Sequence, residues 1–329
     1  MRRTKVLILT VITLLLMTNI ILLMQTISPP LYSIERYRDR VESTCVKHYA
    51  NFSQRRITYD FYDLNQELTE KHDCLKLKPP PNPYICIFDV KKDKYVSWFI
   101  KQDGVWEAPV VRVFMKLLSN HPHLNLIDIG AHVGMYSLLA ASMGREVLAI
   151  EPVISNVKLL HAAINLNHFK DRIKILMNPV TDSYLNVTFV QHDTNQGAIR
   201  IRNAYPSEIT EENIRDQNVK ETIVADDILS VVTFKSAILK IDIEGHELKA
   251  LRFSDRIFKH LAIPYVLMEW GRLLELRNEH EPELAEFVIC MTERHYKPFS
   301  YEMDELSIQR YARWPWDIMW VHESVVFSL

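Results

Sequence analysis

Glycine is scarce: the 329-residue chain holds 7. Each turn that uses one is therefore informative, because glycine permits backbone conformations and close approaches that a Cβ forbids. An excess of one charge sign is also missing. Lys+Arg 39 against Asp+Glu 41 leaves a formal net charge of -2, so no basic surplus calls for a nucleic-acid partner. No internal repeat is present. Cysteine is limited to Cys45, Cys74, Cys86 and Cys290. In an oxidising compartment these allow about three pairings. Cys86 and Cys290 sit in apolar runs and read equally well as buried core thiols. Hydrophobic residues at 48% and charged residues at 24% are ordinary for a globular chain, and the length suits one sizeable α/β domain with accessories.

Val6 to Met24 carries no charge, interrupted only by Thr10, Thr13, Thr18 and Asn19. A helix of about 20 apolar residues spans a bilayer core. Arg2, Arg3 and Lys5 precede it, and basic flanks stay on the cytosolic side. The expected layout is a cytosolic tail (1–5), a transmembrane signal anchor (6–24), a stem or N-terminal extension (25–83) and a globular domain (84–329). A cleaved signal peptide has a shorter apolar region and a small-residue cleavage site, which Gln25-Thr-Ile-Ser-Pro29 does not offer. The body is then lumenal, in the endoplasmic reticulum or Golgi, as a single-pass type II membrane protein. The sequons Asn51-Phe-Ser and Asn186-Val-Thr agree with that side. The stem ends in Lys78-Pro-Pro-Pro-Asn-Pro83, which cannot continue a helix.

Beyond it, strand and helix patterns alternate. Strands are expected at Tyr84–Val90, Leu124–Ile129, Val147–Ile150, Arg172–Met177, Asn186–Val190, Ala198–Ile201, Ser236–Ile243 and Pro264–Met268, with a closing strand or hairpin in 316–328. Helices are expected at Pro109–Leu118, Met135–Ser142, Ser155–Leu166, Glu247–Phe253 and Pro282–Arg294. Near-continuous apolar strands between helices predict an α/β fold with a doubly wound, mostly parallel sheet.

Within it, Asn125-Leu-Ile-Asp-Ile-Gly-Ala-His-Val-Gly134 runs from an apolar strand through a turn into a helix. The turn after the first strand of a doubly wound sheet is where such folds bind nucleotides. The next strand ends in Glu151-Pro152, placing an acid where it can accept hydrogen bonds from ribose hydroxyls. A dinucleotide fingerprint starting at Gly130 needs glycine at 132 and 135, and the chain has His132 and Met135. Without that phosphate cradle a nicotinamide dehydrogenase is disfavoured. S-adenosylmethionine has a ribose and an amino-acid tail but no phosphate, and it suits the pattern.

Asp-Ile-Gly-Ala-His-Val-Gly-Met-Tyr-Ser from Asp128, with Ala149-Ile-Glu-Pro152, resembles the FkbM-type methyltransferase family. So do Gly104-Val-Trp-Glu107 upstream and Lys240-Ile-Asp-Ile-Glu-Gly-His-Glu247 downstream, the most specific of these motifs. Asp226-Asp227-Ile-Leu resembles the family's acidic segment before its fourth strand. The resemblance covers roughly 84–329. It implies a Rossmann-like class I methyltransferase fold, S-adenosylmethionine as cofactor, and usually transfer to a hydroxyl oxygen. By it, Asp128, Gly130, Gly134 and Glu151 bind the cofactor. Asn156 either contributes or caps the following helix. The insert 191–221 departs from compact members and bears on the acceptor.

In 240–247 ionisable and apolar residues alternate, so Lys240, Asp242 and Glu244 share one side for as long as the strand persists. Burying three such groups is costly unless they are paired or catalytic. Asp242 is expected beside the reacting methyl. Glu244 and His246 are the candidate bases for an acceptor hydroxyl. Glu269, ending its strand, is placed to join them. Asp242, Glu244 and Glu269 lack firm ligand spacing, and no metal is expected. His121-Pro-His123 reads as a solvated loop. The expected function is O-methylation of a hydroxyl on a glycan, lipid or small molecule in the secretory pathway. The alternative is an inactive methyltransferase-fold scaffold.

Overall fold

Along one central strand, Leu126 enters one hydrophobic core while Ile127 and Ile129 enter another. Side chains alternate across a strand, so this sheet is covered on both faces, as the apolar strands require. These observations come from a computed structural model, which describes residues 57–190, 195 and 199–325.

The elements in chain order are β1 (Asp73–Lys76), β2 (Tyr84–Ile87), α1 (Val96–Asp103), α2 (Ala108–Asn120), β3 (Asn125–Ile129), α3 (Met135–Ser142), β4 (Val147–Ile150), α4 (Ile154–Asn167) and β5 (Ile173–Leu176). Next come β6 (Asn186–Val190), β7 (Arg200–Asn203), α5 (Glu211–Arg215), β8 (Val219–Glu221), β9 (Ser236–Ile241), α6 (Glu247–Ala250) and α7 (Asp255–His260). The chain closes with β10 (Ala262–Glu269), α8 (Gly271–Glu275), α9 (Arg277–Glu293), β11 (Tyr296–Phe299) and β12 (Asp317–His322).

The main sheet has seven strands in the order β11-β12-β10-β9-β3-β4-β5. The pairs from β10 through β9, β3 and β4 to β5 are parallel. β12 enters antiparallel between β10 and β11. Successive strands run outward from β3 to β5, then return to β9 on its other side. The switch point, where open α/β sheets bind ligands, thus lies between β3 and β9. This is the methyltransferase-like α/β fold with a mostly parallel central sheet.

Two segments differ from the expected layout. Residues 60–62, assigned from the sequence to a stem, run beside β5: Tyr62 N donates to Ile175 O at 3.0 Å and Met177 N to Asp60 O at 2.8 Å. The hairpin of β1 and β2 is closed by a Cys74–Cys86 disulfide. Cys290 is disulfide-bonded as well. Cys86 is therefore buried, as its apolar run predicts, but neither it nor Cys290 is a free core thiol. The insert and β6 form a small antiparallel sheet, β7-β6-β8; β7 begins at Arg200, and Ala198 lies outside the described residues. Among the described residues no helix is long and apolar enough to cross a membrane. The expected anchor, 6–24, lies outside them, as do Cys45 and the Asn51 sequon.

Candidate active site

The C-terminal ends of β3, β4, β9 and β10 open into one cleft of about 720 Å³. It is lined by Gly130, Glu151, Asn156, Lys240, Asp242, Glu244, His246 and Glu269 among others. One wall comes from Phe189 of β6 and from the insert, through Asn195, Ile199 and Ile201.

The β3–α3 turn is shaped from both sides. Gly130 has φ 84, and a Cβ there would overlap the carbonyl oxygen of Asp242. Only glycine lets the first loop lie against the chain leaving β9. Gly130 N and Ala131 N both donate to Ile150 O, at 2.9 and 3.1 Å. Glu151 then grips the same loop. Its Oε2 accepts from His132 N at 2.8 Å, and its Oε1 from Val153 N at 2.9 Å and Asn156 Nδ2 at 3.1 Å. A carboxylate offers about four lone-pair positions, so room remains for one further donor. Burial pushes Glu151 up to about 7 against the pull of those three donors.

Asp128 and Gly134 support the cleft without lining it. Asp128 is buried; its Oδ2 accepts from Ser137 Oγ at 2.7 Å, while Oδ1 has no hydrogen-bond partner. It stands opposite Lys240 in the β3–β9 register. Gly134, at φ 86, is the N-cap of α3. Asn156 is buried and steadies Glu151 rather than capping α4, whose N-cap is Val153.

On the other side, β9 ends at Ile241. Lys240 Nζ reaches Asp242 Oδ2 at 3.1 Å and lies 4.7 Å from the Tyr136 ring centroid. Burial alone lowers a lysine, but Asp242, Asp128 and Glu107 together hold Lys240 above its ordinary value. Glu244 leaves the strand alternation, with φ 57. It still lines the cleft, 3.7 Å from Arg272 Nε. Burial and then Asp242 push it up to about 8. His246 is the N-cap of α6 and also faces the cleft.

Three further acids complete the site. Glu247 Oε1 accepts from Ile243 N at 2.8 Å and Gly245 N at 3.3 Å, fixing the turn that carries Glu244. Glu107, the N-cap of α2, accepts from Tyr136 Oη at 2.9 Å. Asp317 opens β12 and pairs in register with Glu269. Burial, then Glu107 and Asp242, raise Asp317 to about 8. Glu107 and Glu247 lie in motifs visible in the sequence; Asp317 had no local signal. Elsewhere, Asp226 Oδ1 accepts from Ile257 N at 2.8 Å, a structural task outside the cleft. His121 Nε2 is hydrogen-bonded with Tyr265 Oη at 2.8 Å rather than simply solvated.

Parallel strands wound outward in both directions, with a glycine turn facing a strand-terminal acid, place this cleft at the switch point of a methyltransferase-like α/β fold. Residues 128–298 match the family model of the Methyltransferase FkbM domain, and the chain belongs to that family. Among solved structures it is similar to a methyltransferase FkbM from Methylobacillus flagellatus KT, at 16% identity and TM-score 0.37, over 60% of this chain and 43% of that one. An O-methyltransferase from Bacillus cereus in complex with SAH aligns at 10% identity and TM-score 0.34, over 70% and 98%. A precorrin-6y C5,15-methyltransferase from Geobacter metallireducens GS-15 aligns at 10% and 0.32, over 66% and 87%. No curated protein matches. The chain thus spans less than half of the FkbM structure it resembles.

Proposed function

We propose that this methyltransferase uses S-adenosylmethionine to O-methylate a hydroxyl-bearing acceptor, a glycan, lipid or small molecule, in the secretory pathway. The observation that carries this is a single cleft in which the Gly130–Glu151 wall faces Asp242, Glu244 and His246. The residues present fit the cofactor: Gly130 and Glu151 both line the cleft, and the strand-terminal Glu151 has acceptor capacity left beyond its three donors. When bound, S-adenosylmethionine supplies an electrophilic sulfonium methyl. Glu151 and the Gly130 turn hold the nucleoside side, and no glycine cradle for a pyrophosphate exists at His132 or Met135.

The acceptor hydroxyl is held in the acid-lined half. Positioning of that kind supplies roughly 7–11 kcal/mol of a barrier. Asp242, fixed by Lys240, orients the hydroxyl beside the methyl. Glu244 or His246 takes its proton, a contribution of about 10²–10⁴-fold. The Cys74–Cys86 disulfide suits an oxidising lumen, with residues 6–24 as the membrane anchor.

Two measurements test the activity. Calorimetry should show binding of S-adenosylmethionine or its demethylated product and negligible binding of NAD; the reverse result overturns the assignment. Labelled-methyl transfer over cell extracts should then identify an acceptor. If Asp242→Asn and Glu244→Gln both stay folded and keep near-normal single-turnover rates, the reacting site lies elsewhere.

A further inference from the structure

We infer that Asp242, Glu247 and Glu269 form a binding site for one hard divalent cation at the acceptor end of the cleft. An oxygen from each of these three carboxylates lies within 4.8 Å of the other two. Hard cations take oxygen ligands at about 2.0–2.6 Å, so two ligands of one ion sit no more than about 5 Å apart. The three residues come from separate positions in the chain: the end of β9, the start of α6 and the end of β10. They converge because those strands are parallel neighbours.

A cluster of acids alone does not define a site, and here the open valences do. Glu247 is 0% exposed and spends its Oε1 on Ile243 N and Gly245 N; its Oε2 has no donor. Glu269 likewise takes Trp316 Nε1 on Oε1 at 3.1 Å and leaves Oε2 without a partner. A buried carboxylate oxygen without a donor bears the full desolvation cost of that group. Nearby cations are already engaged: Lys240 with Asp242, and Arg272 with Glu244 and Glu275. Asp317 pairs in register with Glu269, and Glu107 lies close enough to Asp242 for the two carboxyls to repel. A divalent cation among the three carboxylates satisfies both open oxygens and balances this charge. Asp242 and Glu269 both line the cleft, which places the ion at its wall. The all-oxygen donor set selects Mg²⁺, Mn²⁺ or Ca²⁺ over thiolate- or imidazole-seeking metals.

The inference does not depend on methyl transfer, and its test runs without a methyl donor. The purified full chain, stripped with a chelator, is titrated with Mn²⁺ while the free ion is read by electron paramagnetic resonance. One Mn²⁺ per chain should bind with a dissociation constant below about 1 mM, the weak end for protein oxygen sites, and Mg²⁺ or Ca²⁺ should displace it. Glu269→Gln keeps an acceptor for Trp316 and should stay folded by thermal melt, yet weaken Mn²⁺ at least about tenfold. Asp242→Asn should do the same, and Glu305→Gln on the surface should change nothing. No stoichiometric Mn²⁺ in the wild type means the acids share protons instead, and the site is refuted. Unchanged affinity in folded Glu269→Gln and Asp242→Asn also refutes it, by placing the ion elsewhere.

Discussion

Glu151 grips the β3–α3 turn and, in the proposed function, also binds the cofactor ribose, and the two tasks respond to pH in opposite directions. Burial raises it from an ordinary 4.5 to about 7. Below the unfolded value both states are protonated and the native state keeps its full stability. As pH rises from 4.5 towards about 7, only the native state still holds the proton, so stability falls across that window and levels off above it. Ribose hydroxyls donate best to the ionised form, so cofactor affinity should rise over the upper part of the same window. Calorimetry between about pH 6 and pH 8.5 checks this, and Glu151→Gln should flatten the profile. Glu151→Ala should weaken the cofactor by at least about 1.5–3 kcal/mol, the range for a hydrogen bond to a charged group. It also removes the acceptor for His132 N, Val153 N and Asn156 Nδ2, so a lower melting temperature of the free protein should accompany the loss. An unaltered melt with lost binding would restrict Glu151 to the ligand.

At the scale of elements, the β3–α3 turn links the two halves of the cleft. Gly130→Ala puts a Cβ into Asp242 O and holds a non-glycine residue at φ 84. Such a backbone costs about 1–3 kcal/mol before any overlap, and relief requires the Asp242 chain to move. The variant should therefore lose stability and cofactor binding together, and turnover further still; a folded Gly130→Ala enzyme with normal kinetics would refute this coupling.

The same elements show what a sequence makes legible. β3, β4, β9 and β10 announce themselves as apolar runs because both faces are buried, and α3 and β4 keep their expected limits, Met135–Ser142 and Val147–Ile150. β11 escaped notice: Tyr-Lys-Pro-Phe is short, and Pro298 suits an edge strand and reads locally as a break. Within the site, Gly130, Glu151 and Asp242 are legible because each ends a strand. Asp317 is not, since it reaches the cleft only because β12 runs antiparallel and brings its N-terminal end there. Asp128 looks like a ligand residue by position, yet it is buried behind the cleft, facing Lys240.

At the scale of the whole molecule, the proposed lumenal compartment can be tested through the disulfide, the sequons and the orientation of the chain. The Cys74–Cys86 bond closes the β1–β2 hairpin, which is tied to α4 by Tyr84 N donating to Asn167 Oδ1 at 2.8 Å. A bond closing a short loop is worth about 2–4 kcal/mol, so Cys74→Ser with Cys86→Ser should lower the melting temperature. Reduction of the wild type should do the same. Such a bond is favoured in an oxidising compartment, which agrees with the lumenal body proposed from Arg2, Arg3 and Lys5 before 6–24. Expressed in a eukaryotic cell, the chain should shrink on glycosidase treatment. Asn51→Gln should remove part of that shift. Asn186 is half-buried at the start of β6, and if both sequons are used, Asn51→Gln with Asn186→Gln should remove the shift entirely. In intact membranes the domain should resist added protease until detergent is present. A full-length chain that is never glycosylated and is cut from the cytosolic side would reverse the orientation, and with it the proposal that the acceptor is a lumenal hydroxyl.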